Sequence, residues 1–250
     1  MPDKTCSILL CGACGRMGRA VAEAAEAQNC RILCGVDLYP APAPFPVFPA
    51  LALVEERPDA VIDFSYHTFT PEVLAFCVSH ALPAVIATTG QTEEEEAAVR
   101  DAAARIPVLR SGNLSLGAAL LARLVSLAAA AVDWDAEIVE EHHAAKLDAP
   151  SGTALLLGEA IRTARGGGEF RYDRRLARRP RDKGEIGIHS LRAGGIVGRH
   201  EVLFASGGEV LRLTHEVSGR AVFAEGALAA ARALTGLPPG FYTLSDILFS

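Results

Sequence analysis

Gly12-Ala13-Cys14-Gly15-Arg16-Met17-Gly18 follows an apolar run at 5–11. It opens a segment, 16–28, whose apolar positions Met17, Ala20, Val21, Ala24 and Ala25 recur at helical spacing. Strand, glycine loop and helix in that order begin a parallel α/β sheet. Glycines at 12, 15 and 18 let the backbone turn tightly and approach a pyrophosphate, whose charge the free N–H groups of the helix start would bind. The spacing is GxxGxxG rather than strict GxGxxG, because Cys14 replaces the middle glycine. Asp37 ends the next strand, 31–36, 19 residues after Gly18. An acid there can accept both ribose hydroxyls of an adenine nucleotide. Loop, helix and acid together predict dinucleotide binding, with a structural turn in some other α/β fold as the competing reading. A carboxylate repels a 2′-phosphate, and Leu38 and Tyr39 bring no positive charge, so NADH is expected over NADPH unless Arg16 folds over the adenosine end.

Outward from this unit, short apolar strands are predicted at 60–64, 84–87 and 108–109, with helices at about Thr70–His80 and 93–105. Five prolines between 40 and 49 exclude a helix there and predict a surface loop. After Asn113 the texture changes. A helix at 115–132 leads to a strand at 135–141 and a second helix from near Ser151. A glycine break at 166–168 precedes strands at 186–191, 196–205 and 209–215, with Gly-Gly turn signals at 194–195 and 207–208. A last helix at about Ala221–Leu234 and a short tail are expected to return to the first domain. The fold class is α/β: a Rossmann-type doubly wound parallel sheet, then an α+β domain with an open mixed sheet. The dinucleotide domain is expected at 1–113 with 221–250, and a substrate-binding and oligomerisation domain at 114–220. There is no internal repeat.

Composition removes several function classes. Half of the 250 residues are apolar and 22% are charged, which excludes a disordered chain. The apolar run 114–132 is interrupted by Ser115, Arg123 and Ser126 and reads as a buried helix rather than a bilayer span. Thirty acidic against 24 basic residues give a net charge of −6, which argues against nucleic acid as a partner. No secretory signal is visible at the N-terminus, so a cytoplasmic location and six reduced cysteines are expected. Cys11 and Cys14 form a CxxC, but zinc needs four ligands and the other close pair, Cys30/Cys34, has a different spacing. They are read as small apolar residues.

The densest chemistry lies in Glu140-Glu141-His142-His143-Ala144-Ala145-Lys146-Leu147-Asp148-Ala149-Pro150-Ser151-Gly152-Thr153-Ala154. Ser151 is a natural helix N-cap after Pro150. The N–H groups of Gly152 and Thr153 suit a carboxylate, helped by the helix dipole. Lys146 adds a full positive charge, and His142 or His143 can supply a proton near neutral pH. An anion clamp, a proton donor and a hydride source are what reduction of an anionic C=C or C=N compound requires. Metal binding and a purely structural loop are the rival readings. Adjacent histidines on a strand face opposite sides and no HExxH spacing occurs, so no metal is expected.

This block resembles the E-x-H-H-x-x-K-x-D-x-P-S-G-T-A signature of the dihydrodipicolinate (4-hydroxy-tetrahydrodipicolinate) reductases of lysine and diaminopimelate biosynthesis. The resemblance covers nearly the whole chain. It includes GxxGRMG at 12–18, Val61-Ile62-Asp63-Phe64-Ser65, Ala87-Thr88-Thr89-Gly90, Ser111-Gly112-Asn113-Leu114-Ser115, and the GEIGIHSLR segment at 184–192 with Gly194–His200. It implies His142 as general acid–base and Lys146 as a second, cationic proton donor. His143, Ser151, Gly152 and Thr153 would hold the cyclic dicarboxylate. Gly12, Ala13, Cys14, Gly15, Arg16, Met17 and Asp37 would hold the cofactor, NADH or NADPH. Ala87, Thr88, Thr89, Ser111, Gly112, Asn113 and Leu114 would lie near the nicotinamide. It also implies a homotetramer built through the open sheet, and closure of the two domains over the substrate. The chain departs from the family pattern at Cys14, Leu38, Ala87 and Leu114, while the substrate-side motif is intact.

Other features carry blander readings. The run 171–183 holds seven of the 24 cations and is read as a solvated, mobile loop that at most attracts a dicarboxylate. His189, His200 and His215 fall in predicted strands and are read as structural. Two other functions compete: a related amino-acid dehydrogenase, which would need changes between 142 and 153, and a non-catalytic dinucleotide sensor, which would need neither Lys146 nor the Ser-Gly-Thr clamp.

Overall fold

The structure is a computed structural model describing residues 5–175 and 178–249. The chain forms two compact units, Met1–Leu116 with Arg220–Ser250, and Gly117–Gly219.

The first unit is a parallel sheet of β1 (Cys6–Cys11), β2 (Cys30–Val36), β3 (Val47–Phe48), β4 (Ala60–Asp63), β5 (Ala84–Ile86), β6 (Pro107–Arg110) and, from the chain's end, β12 (Gly240–Tyr242). The strand order is β12-β6-β5-β4-β1-β2-β3. Every residue of β1 is buried, as expected for a central strand covered on both faces. Helices α1 (Arg16–Ala24), α2 (Thr70–His80), α3 (Glu93–Ala103) and α6 (Ala221–Leu234) belong to this unit. A Thr92–Glu95 capping box starts α3. The α1 helix stops at Ala24, short of the expected 28. Glu26–Gln28 tighten into a 3₁₀ turn that ends on Asn29 at φ 54°, a conformation Asn tolerates. The proline segment 40–49 is not only a surface loop: its residues Val47 and Phe48 pair with Gly35 and Val36 as an edge strand, where flanking prolines cost no central ladder bond.

The second unit is a mixed sheet in the order β11-β10-β7-β9-β8. Its strands are β7 (Asp135–His142), β8 (Glu169–Arg171), β9 (Glu185–Arg192), β10 (Gly198–Ala205) and β11 (Val210–Val217). Helices α4 (Leu116–Ala131) and α5 (Gly152–Arg165) pack on one face. Leu121, Val125, Leu157 and Ile161 meet Ile138, Ile186, Ile188, Val202 and Phe204 in its core. The α4 helix is buried on one face only: Leu120, Leu124 and Leu127 are exposed. Alternation along β7 turns Ile138, Glu140 and His142 inward. Two polar residues thus share the helix-covered face with the apolar core.

The described part of the basic run is largely exposed, as expected of a solvated loop, but it is also tied into the fold by ion pairs. It contributes part of β8, and Arg171, Arg174 and Arg179 converge on Glu185, which is 2% exposed. Arg181 pairs with Asp135 at 2.9 Å, and Lys183 pairs with Asp133. Leu176 and Ala177 lie outside the described residues. Among the described residues no helix is long and apolar enough to cross a membrane.

Candidate active site

In the first unit the sequence-selected residues gather at the carboxyl ends of the parallel strands. Gly12 sits at φ +74°, and a Cβ there would stand 2.6 Å from the Phe64 carbonyl oxygen. A Cβ on Gly18 would stand 2.3 Å from the Gly12 carbonyl oxygen. Both positions therefore require glycine, and the loop is packed against 64–65 and against its own helix. Gly15 caps α1 without a side-chain bond, which leaves the first turn open to an anion. Glycine cradle, uncapped helix start and strand-end acid fit a dinucleotide.

Asp37 has a role the sequence did not show. Its Oδ2 accepts the Cys14 N–H at 2.9 Å and its Oδ1 accepts the Tyr39 N–H at 3.1 Å. The acid braces the glycine loop and keeps further lone pairs for ribose hydroxyls. Cys14 and Cys11 do not act as a pair. Cys14 Sγ accepts the Ala41 N–H at 3.3 Å, whereas Cys11 lies within β1, where burial pushes its thiol well up.

The loops after β5 and β6 lie side by side: a Cβ on Gly112 would be 3.1 Å from Thr89 Cγ2. Thr88 is buried, with its hydroxyl 3.1 Å from that of Thr70 and 2.6 Å from the Gln91 amide nitrogen. Ala87 donates its N–H to the Asp63 carbonyl. Ser111 and Asn113 tie their own turn, Ser111 Oγ donating to the Asn113 carbonyl at 2.7 Å. Leu114, the last residue of this segment, has its side chain in the core. It is 1% exposed, and its carbonyl lies against Gly226 of α6, so it packs the core. Two groups here escaped sequence reading. His67 Nδ1 lies 2.8 Å from Glu95. Asp63 is buried, and that burial raises its pKa to about 6 against hydrogen bonds from Ser65 and Thr70.

In the second unit β7 delivers His142 and the start of α5 delivers Ser151, Gly152 and Thr153. Between them Glu140 is fully buried. Its Oε2 lies 2.5 Å from His142 Nδ1, and its Oε1 accepts the Ser151 N–H at 3.2 Å. Arg192 grips both oxygens, at 2.9 and 2.8 Å. Burial by itself would raise Glu140, but Arg192, Ser190 and His142 outweigh it and hold the carboxyl at about 2. Its charge therefore stabilises the fold fully above the ordinary carboxylate range and is lost only as pH falls toward 2. Burial lowers His142, opposed by Glu140 and assisted by the charges of Lys146 and Arg192.

His200 also belongs to this cluster. Its Nε2 lies 3.0 Å from Ser151 Oγ and its ring is 5.2 Å from that of His142. Burial takes its pKa down to about 4. Strand register could have signalled this, since His200 opposes Glu140 across β10 and β7. The Ser151 hydroxyl also caps α5 through the Ala154 N–H, so it faces inward. Gly152 is open, with nothing within 4 Å of its Cβ position. Lys146 Nζ is held 2.8 Å from Asp148. His143 is exposed and stands outside the buried cluster.

A parallel sheet with a glycine cradle, joined in one chain to a mixed sheet with its own helix-capped polar cluster, defines a Rossmann-type oxidoreductase with a second α+β domain. Comparison with known proteins narrows this class. Residues 6–114 match the family model "Dihydrodipicolinate reductase, N-terminus", and residues 117–248 match "Dihydrodipicolinate reductase, C-terminus". The 4-hydroxy-tetrahydrodipicolinate reductase of Caldanaerobacter subterraneus subsp. tengcongensis is 43% identical over 96% of this chain and 97% of its own. That of Zymomonas mobilis subsp. mobilis is 42% identical over 98% of each. A dipicolinate-bound dihydrodipicolinate reductase from Paenisporosarcina sp. TG-14 superposes with a TM-score of 0.81 at 27% identity, over 97% of this chain and 99% of that one. The chain belongs to the dihydrodipicolinate reductase family of lysine and diaminopimelate biosynthesis. Reductases of this family work with a nicotinamide dinucleotide.

Proposed function

We propose that this chain reduces the dehydrated form of 4-hydroxy-tetrahydrodipicolinate to tetrahydrodipicolinate. The observation that carries the reading is the buried Glu140 carboxylate, which bonds the imidazole of His142 and the first turn of α5 together. The Gly12–Gly18 loop, Arg16 and Asp37 would hold the dinucleotide, with Ala87, Thr88, Thr89 and the 111–114 segment toward its nicotinamide end. When bound, that group supplies the hydride. Gly152 and Thr153 N–H groups would bind one carboxylate of the substrate at the positive end of α5. Lys146 supplies the cation for the dicarboxylate, and His143, exposed beside it, adds a further contact. His142 gives up the proton from Nε2, the nitrogen not engaged by Glu140. We further propose cytoplasmic action as a homotetramer. The supporting feature is the outer sheet face, where Val139, Leu191 and Leu203 lie among the ion-paired Glu141, Arg199 and Glu201.

The test is oxidation of NADH and NADPH with substrate generated in place from pyruvate and aspartate semialdehyde by the preceding synthase. Synthase-dependent oxidation is expected. Its absence with both cofactors, in protein that binds NADH, would reject the assignment in favour of another small carboxylate or a sensor. NADH is expected to be the better cofactor, because Asp37 repels a 2′-phosphate and Leu38 supplies no compensating charge. Asp37→Ser should move the NADH:NADPH ratio of kcat/KM toward NADPH by about tenfold. An unmoved ratio would show that Asp37 only braces Cys14.

A further inference from the structure

We propose that Glu140 is the positioning residue of this site: one buried carboxylate sets the tautomer of the proton donor and, through the same atoms, fixes the anion clamp beside it. The inference deepens the reductase reading and rests on it for the roles of His142 and α5.

The geometry of the contacts leaves little freedom. An ionised carboxylate only accepts hydrogen bonds. Arg192 grips Glu140 with two nitrogens, one to each oxygen, and stays charged under all ordinary conditions. Facing this acceptor at 2.5 Å, the neutral ring of His142 must carry its hydrogen on Nδ1. Nε2 is thereby the nitrogen that gains and loses a proton. It lies over Gly198, where an added Cβ would stand 3.2 Å from it, so any side chain at 198 would crowd this nitrogen. After one proton has left Nε2, the ring is the neutral Nδ1–H form.

The same carboxylate reaches the other functional groups. Glu140 Oε1 holds the Ser151 N–H at the first turn of α5. Arg192 also donates to the Asp148 carbonyl at 2.5 Å, and Asp148 holds Lys146 Nζ at 2.8 Å. Proton donor, helix start and ammonium are therefore linked through one ion pair whose carboxylate is buried. The charged or titratable groups facing His142 are Glu140 on its own strand, Arg192 from β9, His200 from β10 and Lys146 from the following loop. Glu140 alone among them favours the protonated ring. Truncating it should disturb proton transfer and carboxylate binding together, which a purely structural ion pair would not do in a pH-dependent way.

The experiment uses the full chain labelled with ¹⁵N-histidine, alongside steady-state kinetics. In the wild-type protein, long-range ¹H–¹⁵N spectra should show neutral His142 protonated at Nδ1. A wild-type Nε2–H tautomer overturns the proposal whatever the variants do. In Glu140→Gln the amide NH₂ turns to His142 and the tautomer should reverse. Its kcat should fall about 10²-fold. The alkaline limb of kcat/KM should move to lower pH by about one unit, because the ring loses the charge that favours its protonated form. Glu140→Asp keeps the charge and should retain the Nδ1–H form and recover at least about tenfold of the lost rate. An unchanged tautomer in Glu140→Gln, or a rate within about threefold of wild type with an unmoved limb, overturns it. Absence of wild-type turnover would fall on the reductase reading, while the spectra would still decide the Glu140–His142 coupling.

Discussion

Lys146→Ala is expected to lower kcat/KM for the dicarboxylate by about 10²- to 10⁴-fold, the range that a positioned proton donor or charge partner contributes. The loss should appear in both constants. On the role that the family resemblance implies for Lys146, KM rises because the cation for the dicarboxylate is gone, and kcat falls because the second proton donor is gone. His142→Gln should match the kcat loss with a smaller change in KM. Lys146→Arg separates the parts: it keeps the charge but does not give up its proton near neutral pH, so it should restore KM and leave kcat low. Lys146→Ala also removes a positive charge that disfavours protonated His142. Any residual activity should therefore persist to higher pH, the opposite of the shift expected for Glu140→Gln. Full activity in Lys146→Ala would remove Lys146 from the mechanism.

Gly226→Ala is expected to cost about 3–5 kcal/mol, at the upper end for a single added methyl group. A Cβ at 226 would stand 1.7 Å from the Leu114 carbonyl oxygen and 2.9 Å from its carbon. The obstacle is backbone, so no rotamer change relieves it. The α6 helix buries Ala224, Ala227, Leu228, Ala230, Ala231 and Leu234, and the small residues among them allow the same close approach. To accept the methyl group, the helix must lift off the sheet or Leu114 must move. Thermal melts of Gly226→Ala against Gly236→Ala, which is exposed and has its nearest neighbour at 4.0 Å, would read the difference. Equal melting temperatures would mean that α6 does not sit on Leu114.

These two positions differ in how far the sequence revealed them. Lys146 stands in a block whose residue types and spacing already state their chemistry. Gly226 lies among alanines in a periodic helix, and nothing local marks it. The same division runs through the site. His142, Ser151 and the glycine cradle were legible because cap, loop and charge signals act over a few residues. His200 was not, because it is 49 residues from Ser151 and reaches it only through the register of β10 on β7. Arg192 joins Glu140 by the same route, across the parallel pairing of β7 with β9.

The basic run shows the limit from the other side. Its composition reads as solvated surface, yet Arg171, Arg174 and Arg179 collect on one buried acid, Glu185. Charge count is a local property, whereas ion pairing depends on which strand end the run folds against. Likewise the proline segment 40–49 was legible as non-helical. That Val47 and Phe48 extend the sheet depended on a free edge at β2.

The sequence by itself determined the parallel α/β sheet, the chain's return to it through the last helix, and the residue types of the reductase signature. Each is written in periodicity, turn residues or short-range spacing, which act before distant segments meet. Tertiary structure alone decided that Glu140 is buried and ionised between His142, Ser151 and Arg192. It also decided that Asp37 braces Cys14 and that Leu114 packs beneath Gly226. Those outcomes depend on strand register and helix approach, which only the assembled core fixes.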